Sequence, residues 1–133
     1  MRIIFPALLL FSVMVGNSCS KEVEDITQYK WTLKSITTNG KTTKPPMEYV
    51  LCFSNDSMFC MHLSVNEAGG CYRINLPDKI KILSYHSFTE VCCESDFDNL
   101  LLSSFINANT YSMKGDSLVF KRDDNEKLTF TKK

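Results

Sequence analysis

Between Tyr111 and Phe130 three short runs place an apolar side chain at every second position: Tyr111 and Met113, then Leu118 and Phe120, then Leu128 and Phe130. Lys114-Gly115-Asp116-Ser117 and Asp123-Asp124-Asn125-Glu126 separate the runs. Side chains of a strand alternate between the two faces of a sheet, so each run has one apolar side. Turn-forming residues between such runs fold them back on one another as a three-stranded meander. A helix cannot turn a period of two into one continuous apolar stripe. The end of the chain is therefore committed to antiparallel sheet with one buried face.

The same period recurs upstream. Tyr29, Trp31 and Leu33 alternate with Lys30, Thr32 and Lys34, and Tyr49, Leu51 and Phe53 repeat the pattern. Further strands are expected over roughly 58–65, at Tyr72 and Ile74, and over 79–83, where Ile80 and Ile82 share a face. Asn39-Gly40 with Pro45-Pro46, the segment Ser54 to Ser57, the glycine-containing stretch Asn66 to Gly70, and Pro77-Asp78 supply the breaks. One helical period stands out, between Ser95 and Ala108. Phe97, Leu100, Leu101 and Phe105 make an apolar stripe with Asp98, Ser103 and Ser104 off it. Ser95 suits an N-cap, and Asp96 and Asp98 in the first turn favour the helix dipole. The expected class is α+β but mostly β: an antiparallel sheet or open barrel of about eight short strands, with one helix packed on it.

The chain of 133 residues is one domain's worth. Its first 18 residues read as an export signal: Arg2, then an apolar run from Ile3 to Val15, then Gly16-Asn17-Ser18 before Cys19. The run is shorter than the ~20 apolar residues that cross a bilayer. Two processing routes fit the same bond. Gly16 and Ser18 suit ordinary signal peptidase, whereas an apolar run, a small residue and a cysteine resemble the bacterial lipobox. A cysteine at the cleavage point favours the second, in which Cys19 carries the acyl anchor and tethers the protein to the membrane. Residues 19–28 then form a short acidic tether, and 29–133 the domain. Glu22, Glu24 and Asp25 are similar to the surface-export signals of Bacteroidetes lipoproteins, and they serve equally as a solvated linker.

Beyond Cys19 the charges nearly cancel, with 14 basic and 15 acidic residues. No basic run interleaves with aromatics, which argues against a nucleic-acid partner. Five cysteines remain after Cys19: Cys52, Cys60, Cys71, Cys92 and Cys93. An exported chain sits where disulfides form, and an odd number leaves at least one thiol unpaired. Cys52 and Cys60 oppose each other if the loop between their strands has three residues. A loop of two or four puts Cys52 against Phe59 instead. Buried cysteine as a small hydrophobe is the competing reading. Cys60 and His62 share one strand face, but no C-x-x-C accompanies them and a catalytic thiol is not expected. Cys60, His62 and Cys71 fall short of the four ligands of a structural zinc site, so no metal and no other cofactor is expected. No Ser-His-Asp set or inward carboxylate pair can be picked out, and no catalytic residue is assigned. Trp31, Tyr49, Phe53 and Tyr72 are the aromatics that would line a ligand cavity in a barrel. A filled core is the simpler use for them.

The landmarks together resemble the META domain, also called HslJ-like. That family's pattern starts with a tryptophan-containing strand and a G-C-N-x-x-x-G-x-Y loop. A T-x-x-x-C turn, a helix and a closing hairpin with G-D-x-L follow. Trp31 and Leu33 match the strand; Ser64, Val65, Asn66, Gly70 and Tyr72 the loop; Thr89 and Cys93 the turn; Phe97 to Phe105 the helix; and Gly115, Asp116, Leu118 and Phe120 the hairpin. Ser64 and Val65 replace the loop's glycine and cysteine, so Cys93 lacks its usual family neighbour, and Cys71 is the nearest candidate to replace it. The resemblance implies an envelope or secreted protein, in some members tied to heat or antibiotic stress, with no catalytic activity attached. The expectation is a non-catalytic, outer-membrane lipoprotein of the cell envelope that binds a protein or envelope component. The alternative is a calycin-like barrel holding a small apolar ligand, with Trp31 near its floor.

Overall fold

The alternation becomes nine strands of one antiparallel sheet in the computed structural model, which describes residues 25–55, 57–88 and 94–133. They are β1 (Lys30–Thr38), β2 (Lys41–Thr43), β3 (Val50–Phe53), β4 (Met58–His62), β5 (Glu67–Asn75), β6 (Lys79–Phe88), β7 (Thr110–Lys114), β8 (Ser117–Asp123) and β9 (Glu126–Lys132). Each strand from β3 to β9 pairs with its sequence neighbour, and β9 returns to pair with β1. The sheet thus bends into a ring that nearly closes as a barrel. Its weak seam lies between β6 and β7, which share a single residue pair, Lys79 with Thr110. The one α-helix among the described residues, α1 (Asp96–Ile106), joins these two strands and packs against β6 and β9.

Curvature comes from bulges. Between β1 and β9 the register skips Lys34, so Leu33 and Ile36 both point inward. An extra residue in one strand bends it and strengthens its twist, as ring closure requires. A second skip, at Leu83 between β5 and β6, follows Gly70. A Cβ on Gly70 would lie 1.9 Å from the Ser84 carbonyl oxygen, so this crossing admits only glycine.

The interior is a chain of aromatic rings. Phe53 meets Tyr72 at 4.9 Å between centroids, and Phe105 from α1 meets Phe59 at 5.0 Å and Phe120 at 5.4 Å. Phe120 meets Phe130 at 5.7 Å. Most of these pairs are edge-on, the arrangement the ring quadrupole favours. The helix supplies Leu101, Leu102 and Phe105 to this core.

The mostly β class and the single helix agree with the sequence, and three details differ. Asn39-Gly40 turns the chain into an additional strand, β2, against the end of β1, with Asn39 and Gly40 at positive φ. The stretch Asn66 to Gly70, expected as a loop, enters β5 at Glu67, with both glycines inside the strand. The fold also engages the end of the expected tether: Ile26–Gln28 form a 3-10 turn capped by Asp25, and Ile26 is buried. The export signal, Cys19, Thr89, Cys92 and Cys93 lie outside the described residues. Among the described residues no helix is long and apolar enough to cross a membrane.

Candidate functional site

The two ends of the barrel each bring tyrosine and aspartate together, with opposite results. At the end where α1 enters, Asp98 is fully buried. It accepts the Tyr49 hydroxyl at 2.7 Å and the Ser64 hydroxyl, while its own amide donates to the Ser95 cap at 3.1 Å. Burial alone would raise its pKa. Hydrogen bonds from the Ser64 and Tyr49 hydroxyls, Ser95 and the Ser64 backbone outweigh that and hold the carboxyl below its ordinary range. Burial first, then the hydrogen bond to Asp98 and its charge, pushes Tyr49 up to about 12. Asp98 also sits in the first turn of α1, where the helix dipole favours a negative charge. The arrangement is a closed lock that docks the helix.

At the opposite end the 3-10 turn, the β3–β4 hairpin, β5 and β7 surround an open cleft of about 420 Å³. Tyr72, Ile74, Leu76 and Tyr111 form its apolar and phenolic wall, and Asp25 stands at its rim. Burial raises both phenols, and the charge of Asp25 adds to it; Asp78 adds further at Tyr111. Tyr72 donates to the Ser54 carbonyl at 3.0 Å, which fixes its ring in the wall. Leu76 is 69% exposed, so the rim offers apolar surface directly to solvent. The indole nitrogen of Trp31 donates to the Ile26 carbonyl at 2.9 Å, pinning the incoming chain beside the cleft.

A third cluster lies on the outside of the barrel wall. Cys52 faces Cys60 directly across β3 and β4, and Cys60, His62 and Glu67 gather on β4 and β5. The Cys60 thiol donates to Glu67 at 3.3 Å and lies 4.0 Å from the His62 ring. Burial, the Glu67 hydrogen bond and the neighbouring Cys52 push that thiol up to about 12. A thiol so protonated at neutral pH is no nucleophile.

Residues 24–133 match the META domain. The chain belongs to that family. No curated protein matches it in sequence. Solved structures similar to it include an NMR structure of a protein from Burkholderia xenovorans, at 14% identity and TM-score 0.64, covering 81% of this chain and 83% of that one. A DUF4847 family protein from Bacteroides vulgatus is similar at 12% identity and TM-score 0.63, covering 80% and 93%. At these identities the likeness is one of fold.

Within the META domain, the four aromatics expected to line a cavity part company. Trp31 and Tyr49 are fully buried and Phe53 nearly so, all packed in the core, while Tyr72 alone reaches the cleft. Cys52 and Cys60 are in register, which is the three-residue-loop alternative: Phe53 pairs with Phe59, and Ser57 takes the left-handed conformation that closes such a loop. Both are free thiols, as is Cys71, which lies opposite Met58 and Ser84. Cys93, the remaining candidate for pairing, lies outside the described residues. Two residues take places that their local sequence does not indicate. Asp98 lies off the apolar stripe of the helix yet is fully buried, and Glu67, in a stretch whose glycines suggest a loop, joins Cys60 and His62.

Proposed function

We propose that this META domain is a non-catalytic binding module of a Gram-negative cell envelope, carried on acylated Cys19 as an outer-membrane lipoprotein. In this reading the open cleft at Tyr72, Ile74, Leu76 and Tyr111 receives a protein or another envelope component, with a role under stress. The observation that carries it is where the cleft lies. Asp25 and Ile26, at the point where the tether enters the fold, form its rim, and the Trp31 indole holds them there. A partner in the cleft would therefore meet the domain beside its attachment. Nothing among the described residues indicates catalysis: the thiol beside His62 is held protonated, and the Asp98 network is closed to solvent.

A second reading takes the cleft as the seat of a small apolar molecule. Its volume falls within the ~300–1,000 Å³ of ordinary ligand pockets. Such a ligand would lie at the barrel's rim on Tyr72, since Trp31, Tyr49 and Phe53 pack the core.

Radioactive palmitate tests the anchor. Wild type takes up label and Cys19→Ala does not; equal labelling ends the lipoprotein reading. A photo-crosslinking residue at position 76 in intact cells tests the cleft, with the same residue at Asp124, at the other end of the barrel, as control. A discrete adduct at 76 alone supports partner binding. No adduct, or the same adduct at both positions, removes it.

A further inference from the structure

The outer face of β3, β4 and β5 carries side chains that the core does not need. Leu51, Phe59, Met61 and Ala68 point inward and are buried. Strand alternation therefore sends Cys52, Cys60, His62 and Glu67 outward, on three consecutive strands whose register is fixed. Cys60 pairs with Cys52 on one side and with Gly69 on the other, and His62 pairs with Glu67. The Cys60 sulfur lies 3.3 Å from Glu67 Oε1 and 4.0 Å from His62 Nε2, and His62 Nδ1 lies 3.8 Å from the same Glu67 oxygen. One ligand atom from each of the three residues can be chosen so that all lie within 4.8 Å of one another. Cys52 faces Cys60 across the β3–β4 pair and lies outside this group of three.

We propose that Cys60, His62 and Glu67 form a three-residue zinc-binding site on the outer wall of the barrel, with solvent completing the tetrahedron. Bonds of about 2.0–2.3 Å to a tetrahedral ion hold its ligand atoms roughly 3.2–3.8 Å apart. The observed separations reach that range with side-chain rotations alone. The donors select the metal. A thiolate and an imidazole disfavour calcium and magnesium, which take oxygen, and the mixture of sulfur, imidazole and carboxylate suits zinc better than copper(I), which favours all-soft ligands. Zinc binds thiolate, so its arrival sends the Cys60 proton to solvent. Glu67, which accepts the Cys60 thiol proton in the metal-free chain, is then free to ligate. Gly69 adds no side chain between Cys60 and His86 on the next strand, which leaves that side of the site open. Cys71, which spacing along the chain would group with Cys60 and His62, lies opposite Met58 instead and takes no part.

The test uses the full-length protein, reduced and freed of metal, titrated with Zn²⁺ against a chromophoric chelator and separately with Co²⁺. One equivalent of Zn²⁺ is expected, with proton release. Cys60→Ser, His62→Ala and Glu67→Gln should each weaken binding about tenfold or more, since even outer-shell partners of a metal cost that much. Cys71→Ser, and Cys92→Ser with Cys93→Ser, should leave it unchanged. Bound Co²⁺ should show a thiolate charge-transfer band that disappears in Cys60→Ser and survives in Cys52→Ser. If Cys60→Ser fails to fold, His62→Ala and Glu67→Gln carry the test, because both side chains are about half exposed. Failure to hold Zn²⁺ against the chelator overturns the site. So does binding that survives Cys60→Ser, or binding lost with Cys92 and Cys93.

Discussion

Tyrosine and aspartate occur together at opposite ends of one barrel: Tyr49 bonds to Asp98, whereas Tyr72 and Tyr111 share the lining of a cleft with Asp25. The difference is what surrounds them. Around Asp98 the helix N-terminus, Ser64 and Tyr49 satisfy the carboxylate completely and exclude water. A buried charge survives only when hydrogen-bonded in this way. Asp25 is exposed, and its side chain caps the short 3-10 turn through the Thr27 amide at 2.9 Å. The first arrangement fixes a helix in the ring. The second leaves phenols, apolar side chains and a carboxylate on the wall of an open cleft. A helix that fills the β6–β7 seam closes one mouth, and at the other, among the described residues, Ile26 and Trp31 lie beneath an accessible rim.

The sharpest way to break this contrast is to empty the closed side. Phe105→Ala removes the ring on which Phe53, Phe59 and Phe120 converge and should cost about 3–5 kcal/mol. Urea unfolding measures it. A loss below about 1 kcal/mol, no more than the removal of a single core methyl costs, would mean that the helix is not part of the core.

Asp98→Asn comes next. It exchanges a satisfied carboxylate for an amide that cannot accept from both hydroxyls, at about 1–3 kcal/mol. The pH dependence separates this from simple misfit. The folded-state pKa of Asp98 lies below its unfolded value, near 4. Its contribution is therefore complete above that value and is lost as pH falls through the lower folded pKa. Wild type should lose stability on acidification faster than Asp98→Asn, and the gap between them should close at low pH. Parallel curves from pH 7 to 2 would sink the assignment.

How far these features could be read beforehand follows from where each contact originates. The Ser95 cap and its following acids are local, and the spacing of four residues displayed them. The fate of Asp98 is not local. A helix lying on a flat sheet would leave it in solvent, but a helix entering a nearly closed ring has wall on several sides, and its first turn meets Tyr49 and Ser64. The pairing of Cys52 with Cys60 was visible as one of two registers, and a left-handed Ser57 selects it. Glu67 was hidden because its neighbours Gly69 and Gly70 look like a loop. They belong to a strand because β5 and β6 approach too closely at Gly70 for any side chain. Strand β2 left no hydrophobic trace, since Lys41, Thr42 and Thr43 are all exposed and only the Asn39-Gly40 turn announces it.

The smallest effect on stability belongs to the open end, and there it is the informative one. Leu76 is mostly exposed, and Tyr111 is partly buried at the edge of the cleft. Leu76→Ser should change stability by no more than about 0.5 kcal/mol, as surface substitutions generally do. Tyr111→Ala should cost more than that and still less than any change at Phe105. If the cleft receives a partner, Leu76→Ser should nevertheless reduce cellular crosslinking from a probe placed at Asn55, on the same rim. A wall used only for packing would show the reverse, with stability falling and crosslinking unaltered. The two ends of the barrel would then differ in degree of closure alone, and the cleft would have no claim as a recognition surface.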